Sequence, residues 1–258
     1  MRIGIDVGGT NTDAVLMNGL EVIAWRKTAT TPDVGGGIVA VLEALLAESA
    51  VSASAIQAVM IGTTHFTNAV VERKRLLEVA AVRLGLPATK ALPPLVDWPD
   101  DLSATVGKHT YLLHGGHEFD GRTIAPLDET GLLEAAREIK QKGLRTAAIT
   151  SVFSPVNPAT EQRAAEILRE QVPGIAVTLS HEIGRVGFLE RENATIMNAC
   201  LVELASRVVQ SFRSSLERLH IRAPFYISQN DGTLMGADYV EKYPVLTFAS
   251  GPTNSMRG

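Results

Sequence analysis

Apolar residues at Ile3, Ile5 and Val7 alternate with Gly4 and Asp6, the two-residue period of a short buried strand over Arg2 to Asp6. The chain turns at Val7 to Gly9, and a second strand runs from Thr12 to Met17. Asn18-Gly19 is a hairpin signal, and Glu21 to Thr28 completes a three-stranded meander. The period then changes. Thr31-Pro32-Asp33 opens a helix whose apolar positions Ile38, Val41, Leu42, Leu45 and Leu46 recur at helical spacing, with a first turn weakened by Gly35 to Gly37. Ala58 to Ile61 reads as a buried strand.

The middle of the chain repeats the alternation of helix and strand. Pro87, Pro93, Pro94 and Pro99 predict an extended loop from Gly85 to Leu102, either a lid carrying Asp97 and Trp98 or a plain surface connection. Asp128 to Lys142 is an amphipathic helix with Leu132, Leu133, Ala136 and Ile139 on one face. Thr146 to Val152 is a strand, Pro158 to Glu170 a helix, and Ile175 to Leu179 another strand. A long helix follows from Glu190 to His220, with a stripe from Ile196 through Leu201, Leu204, Val208, Phe212, Leu216 and Leu219 that core packing explains. Glu192, Asn193, Thr195 and Asn198 at its start either face a ligand or serve the helix terminus. Phe225 to Ser228 is a strand ending in the turn Asn230-Asp231-Gly232, and strand ends of α/β sheets are where ligands sit. Periodicity gives an α/β class and no more.

At 258 residues, with 45% hydrophobic and 20% charged residues, the chain has length for one large or two small domains. A net charge of −4 with no long basic run argues against a nucleic-acid surface. The single Cys200 excludes an internal disulfide and a cysteine-rich metal cluster. No apolar stretch reaches the ~18 residues of a membrane span, and the opening strand leaves no room for a signal peptide, so a cytoplasmic location without membrane contact is expected.

Chemistry enters at the first turn. Paired glycines at a strand–strand turn allow positive φ and close approach to a ligand, and amides turned into the loop can bind an anion. Asp6 ends the first strand beside Gly8 and Gly9, where a carboxylate suits a hydrated Mg²⁺ on a phosphate; Thr10 and Thr12 add hydroxyls. A bare Gly-Gly hairpin explains the glycines but not the Asp at its mouth. In HGGHEFDG, His114, His117 and Glu118 are either metal ligands or parts of hairpin turns at Gly115-Gly116 and Asp120-Gly121. At Thr63 and Thr64 a helix begins, and their hydroxyls either cap it or meet a ligand.

The strand–DVGGT–strand pattern resembles the first phosphate loop of the actin/hexokinase/Hsp70 superfamily. GTTHFTNAVVER (Gly62 to Arg73) is similar to the GTTxxTNAxxER signature of the ATP-dependent hydantoinase A/5-oxoprolinase family, which also opens with DVGGTxTD, as Asp6 to Asp13 does here. APLDE (Ala125 to Glu129), SPVNPATEQRAAEIL (Ser154 to Leu168), LSHEIG (Leu179 to Gly184), ERENATIMNACL (Glu190 to Leu201) and the closing SGP resemble further family blocks in the same order. The chain departs from the pattern at Asn11, where an aromatic is common, over Gly85 to Leu102, at QNDG (Gln229 to Gly232), and in SGPTNSMRG.

The resemblance implies a ribonuclease H-like, actin-like ATPase lobe with an inserted α/β subdomain. It implies residues 1–185 as the family's N-terminal region and 186–258 as the start of the hydantoinase A domain, stopping before a second lobe. It implies ATP and Mg²⁺, and the opening of a cyclic amide (hydantoin, 5-oxoproline or lactam) by phosphorylation of the amide oxygen. Gly8, Gly9, Thr10, Asn11 and Thr12 would hold phosphate, Asp6 would orient the metal through water, and Asp13 would orient the nucleophile. Thr63, Thr64, Asn68, Asn230 and Asp231 are further candidates for substrate or phosphate. The alternatives are a nucleotide-binding subunit of a ketone carboxylase-like complex and a sugar kinase-like phosphotransferase. Expected partners are the small substrate, the missing lobe, and a second large subunit or a second copy. The missing lobe is expected to leave an apolar face uncovered near Val245 to Phe248.

Overall fold

The computed structural model describes residues 1–31, 34–251 and 253, so the start of the first helix at Pro32-Asp33 and most of SGPTNSMRG lie outside the described residues. The chain divides into two compact units, one made of Met1–Glu72 and Glu203–Gly258, the other of Arg73–Val202.

The discontinuous unit opens with β1 (Arg2–Val7), β2 (Asn11–Asn18) and β3 (Glu21–Ala29), then α1 (Val34–Ser49), β4 (Ala58–Thr63) and α2 (His65–Val71). The second unit contains β5 (Val79–Leu86), α3 (Asp100–Thr105), β6 (His109–His114), α4 (Glu129–Gln141), β7 (Thr146–Ser151), α5 (Ala159–Gln171), β8 (Ala176–Leu179) and α6 (Ser180–Ile183). A 31-residue helix, α7 (Phe188–Arg218), begins in this unit and ends in the first. The first unit closes with β9 (Phe225–Ser228), β10 (Leu234–Gly236), α8 (Ala237–Lys242) and a 3-10 turn at Pro244–Thr247.

The six-stranded sheet has the order β10-β9-β4-β1-β2-β3. β1, β2 and β3 form the antiparallel meander, and β4 returns parallel to β1 with β9 parallel to β4. This is the ribonuclease H-like order. Alternation fixes its inner face: Ile3, Ile5 and Val7 of β1 and Thr12, Ala14 and Leu16 of β2 are buried, as are Ile38, Val41, Leu42 and Leu45 of α1. Each such Leu or Ile contributes roughly 1.5–3 kcal/mol on burial. Gly19 takes φ +62 in the β2–β3 hairpin, as its two-residue turn requires.

The inserted unit carries a wholly parallel sheet, β6-β5-β7-β8. Val82, Leu84, Ala147 and Ile149 pack with Leu132, Ala136 and Ile139 of α4 and Ala164, Ala165 and Leu168 of α5. Strands buried on both faces show no alternation, so β5 (VAAVRLGL) carries no two-residue period and was not expected from the sequence. Arg83, out of step with Val82 and Leu84, is 1% exposed and pairs with both carboxylate oxygens of Glu192 of α7 through its Nε and Nη2.

Two expectations need correction. The extended loop from Gly85 to Leu102 is shorter, because Gly85 and Leu86 finish β5 and Asp100 to Leu102 belong to α3. The turns between are tied down: Arg83 Nη1 donates to the carbonyl of Leu92, and Trp98 Nε1 donates to Asn193 Oδ1 at 2.9 Å. The apolar face expected to be uncovered near Val245 to Phe248 is partly covered by the unit's own fold. Thr247 is buried, and Val245, Leu246 and Phe248 are half-buried. The exposed apolar residues of this unit include Leu20, Val22 and Trp25 around the β2–β3 hairpin. Among the described residues no helix is long and apolar enough to cross a membrane.

Candidate functional site

Asp6 projects from the outer face of β1, opposite in phase to Ile5 and Val7. Its register neighbours are Asp13 on β2 and Gly62 on β4. Gly62 has no side chain, so the β4 side of Asp6 stays open. A concavity of about 560 Å³ follows this face, walled by Asp6, Asp13, Val15, Trp25, Met60 and Gly62. Asp13 reaches Lys27 of β3 at 3.3 Å. Partial burial at the strand end pushes the Asp6 carboxyl above its ordinary value; repulsion from Asp13 adds to this, and Lys27 offsets part of it. Two oxygen-donor carboxylates against one lysine form the hard, anionic donor set that suits a hydrated divalent cation.

The glycine turn differs from expectation in its cause. Neither Gly8 nor Gly9 adopts the left-handed φ that would demand glycine. Gly8 instead lies against its own loop: a Cβ there would stand 3.1 Å from the Asn11 carbonyl, which accepts the Gly8 amide at 3.0 Å. That amide is therefore engaged within the turn. Gly9 and Thr10 are exposed at its tip, and Asn11 is half-buried. Thr12 is fully buried on the inner face, its hydroxyl 3.1 Å from that of Thr30, which donates to the Gly8 carbonyl at 2.9 Å. Thr12 braces the loop from behind and is not placed at its mouth, since the strand period sends it to the core side.

The GTTHFTN block sits beside this turn. Thr64 N–H donates to the Val7 carbonyl at 3.4 Å, and a Cβ on Gly9 would be 3.7 Å from Asn68 Nδ2. Asn68 Nδ2 donates to Thr64 Oγ1 at 3.2 Å, while Thr63 Oγ1 accepts from the amide of His65 at 3.3 Å and meets its Nδ1 at 2.6 Å. Thr63 thus serves the start of α2, and Thr64 holds Asn68 next to Gly9. The fold brings Asp6, Asp13, Gly9, Thr64 and Asn68 to one end of β1 and β4.

Asp231 is engaged in its own hairpin, and the Asn230 backbone is tied to the 3-10 turn that follows α8. Asp231 Oδ1 accepts from the amide and hydroxyl of Thr233 at 2.8 and 2.7 Å, and the Asn230 amide donates to the Leu246 carbonyl at 2.8 Å. At the end of β9 it is Ser228 that lines the Asp6 concavity. Glu192, Asn193, Thr195 and Asn198 are all occupied inside the inserted unit, by Arg83, Trp98, the Arg191 carbonyl and Thr178 respectively. His117 is buried while His114 and Glu118 are exposed. No three His, Cys, Asp or Glu side chains gather to hold a metal among the described residues. The loop makes a turn in which the Glu118 amide donates to the Arg122 carbonyl at 2.7 Å and the Gly121 amide to the Glu118 carbonyl at 3.0 Å.

Sequence reasoning passed over a second polar centre. Glu161 is fully buried and accepts from Ser151 N–H at 2.7 Å, from the Ser180 hydroxyl, and from His181 through both N–H at 3.1 Å and Nδ1 at 2.6 Å. Arg191 donates to Ser180 Oγ at 2.9 Å and to the Ser151 carbonyl at 2.7 Å. The NPATE, LSHE and ERE blocks, scattered along the sequence, meet here.

The model for the hydantoinase/oxoprolinase N-terminal region matches residues 2–172, and that for hydantoinase/oxoprolinase matches residues 191–258. The caprolactamase subunit alpha of Pseudomonas jessenii is 27% identical over 98% of this chain and 39% of its own length. The acetophenone carboxylase gamma subunit of Aromatoleum aromaticum is 26% identical over 99% of this chain and 38% of its own. The nucleotide-free structure of acetone carboxylase superposes on 99% of this chain and 39% of that one with a TM-score of 0.81, at 21% identity, a likeness of fold. The chain therefore spans about two-fifths of the length of these relatives.

Proposed function

The chain belongs to the hydantoinase/oxoprolinase family, and from that premise we propose that it is the phosphate-handling part of an ATP-dependent enzyme that opens a cyclic amide. The observation that carries this reading is the facing pair Asp6 and Asp13 at the mouth of the glycine turn, with the open concavity beside them. Transfer of the γ-phosphate to the amide oxygen makes the carbonyl carbon electrophilic toward water, and such transfer needs positioning and charge neutralisation above all. Gly9 and Thr10, exposed at the loop tip, offer backbone and hydroxyl donors to phosphate oxygens. Asn68, set beside Gly9 by Thr64, extends that donor set. Asp6 would hold Mg²⁺ through water, and the ion would supply charge neutralisation on the phosphates. Asp13, partly neutralised by Lys27, would orient the attacking water.

Lactam hydrolysis is supported by the caprolactamase relative. A second reading, a subunit of a ketone carboxylase, is favoured by the acetophenone carboxylase relative. In both readings a further large subunit is the expected partner. An ATPase screen of the whole protein against 5-oxoproline, hydantoins, small lactams and ketones separates the two. Phosphate release that depends on a cyclic amide supports the first. Release that depends on a ketone and bicarbonate supports the second, and release indifferent to all of them overturns both.

A further inference from the structure

The polar centre around Glu161 has no part in the phosphate chemistry above. Its four donors fix the state of its members. Amide N–H groups from Ser151 and His181 donate to one oxygen each, so Glu161 is held as an acceptor on both sides. An acceptor at 2.6 Å from Nδ1 places the imidazole proton on Nδ1. In the neutral imidazole the other ring nitrogen then carries a lone pair. Among the described residues no hydrogen bond reaches Nε2, and it is not one of the buried atoms left without a partner, so it meets solvent. The His181 side chain is 16% exposed, enough for one ring edge.

The surroundings set this pair apart from a packed histidine. β7 ends at Ser151 and β8 at Leu179, so the pair lies at the carboxyl ends of a parallel sheet, where α/β folds place ligands. Ser151, on the same carboxylate through its amide, is fully buried with a hydroxyl that has no partner, and buried groups of that kind need a reason. Phe153, two residues on, takes φ +50, a conformation that costs a bulky side chain on the order of 1–3 kcal/mol. Arg191 donates to Ser180, which in turn donates to Glu161, so the carboxylate is braced through that hydroxyl.

We propose that the Glu161–His181 pair is a second ligand site, an imidazole preset as a proton acceptor for a neutral molecule bearing an N–H donor, of which a small lactam is the case fitted to this chain. The lactam as ligand rests on the cyclic-amide reading above; the oriented imidazole does not. His181 Nε2 accepts the hydrogen bond from the amide N–H. A positioned imidazole with its second nitrogen held by a carboxylate gives direction to that bond and keeps the wrong tautomer away.

The test is ¹⁵N NMR of the histidine side chains in the 258-residue chain, without ATP, at a pH where imidazole is neutral. The His181 signal is assigned by its loss in His181→Asn or, if that variant does not fold, through its bonds to the backbone. The expected result is a proton on Nδ1 and an Nε2 resonance that moves saturably with 2-pyrrolidinone but not with N-methyl-2-pyrrolidinone. A proton on Nε2 in the free protein, no response to either compound, or equal response to both overturns the proposal. Saturable lactam binding alongside a whole protein that never turns over ATP removes the cyclic-amide reading and leaves this site. Lactam-dependent ATP turnover with a silent His181 removes the site alone.

Discussion

Asp6 and Asp13 face each other across the β1–β2 ladder, with one lysine, Lys27, against the pair. Antiparallel partners stand about 5 Å apart at Cα, so the two carboxylates repel unless a cation lies near. Partial burial first, and repulsion from Asp13 second, hold the Asp6 carboxyl above its ordinary value, with Lys27 offsetting part of it. Its folded value exceeds its unfolded one, so the folded state binds the proton more tightly, and the ionised group costs stability as pH rises through the folded pKa. Asp6→Asn should therefore match or exceed the wild-type melting temperature at pH 7, with the advantage disappearing below the ordinary carboxylate range. The same change in the whole protein should lower turnover by about 10²-fold or more, because a charge clamp on a transferring phosphoryl group is lost. Thermal melts across pH together with steady-state kinetics check both halves, and turnover within a few-fold of wild type refutes the role.

Nucleotide affinity of the 258-residue chain alone should be weak. Gly9 and Thr10 are open to water, and the Gly8 amide is engaged by Asn11, so few loop donors are left to exchange solvent for phosphate. Calorimetry with ATP and Mg²⁺ should detect no tight binding. Micromolar affinity would mean that this loop suffices without further protein.

Breaking the Arg83–Glu192 pair should be costly. Both side chains are almost fully buried, and removing one partner leaves a charge without compensation. Glu192→Gln should lose about 3–5 kcal/mol in urea unfolding. Arg83→Met combined with Glu192→Leu should recover part of it, since an apolar pair of similar volume needs no counter-ion. A loss below about 1 kcal/mol for the single change would place the pair in a wetter environment than its burial indicates.

Trp98 anchors the proline-rich turns through Asn193, and the expectation is that it holds these turns rather than sorting substrates. Trp98→Phe should cost about 1 kcal/mol, the net worth of one hydrogen bond, and leave KM for the whole protein's substrate unchanged. A shifted KM with unchanged stability would return Trp98 to the ligand side of the ledger.

Cys200 is fully buried in α7, and burial pushes its thiol up to about 12. Thiolate is the reactive form, so the folded chain should be silent to a thiol-reactive dye at pH 8 and release one equivalent only on unfolding. Rapid labelling of the native chain would show that α7 opens locally on the timescale of the assay.

What the sequence disclosed follows from where residues alternate. The first strands of the meander show a two-residue period because one face of their sheet is open, β4 shows itself as a short apolar run, and α4 and α7 show a helical period because each buries a stripe. β5 is buried on both sides and has no period to read. In the site, Asp6 and the glycines were legible from their local spacing. Thr12 was not, because a hydroxyl in a phosphate-type motif and a hydroxyl on the core side of a strand look alike until the register is fixed. Glu161 and His181 are joined by tertiary structure alone, and their only local signal was that both lie in motif blocks whose role was unassigned.

The division of the chain has a consequence for its synthesis. β4 leaves the ribosome with one edge waiting for β9, which is encoded after the whole 73–202 segment. At typical elongation rates that interval is on the order of ten seconds. The inserted unit, continuous in sequence, can close its own core meanwhile, whereas β1 to β4 must persist as an incomplete sheet with an unpaired strand. Slower translation or higher temperature lengthens or worsens that exposure, so the yield of soluble protein should depend on growth temperature more steeply than the stability of the finished molecule does.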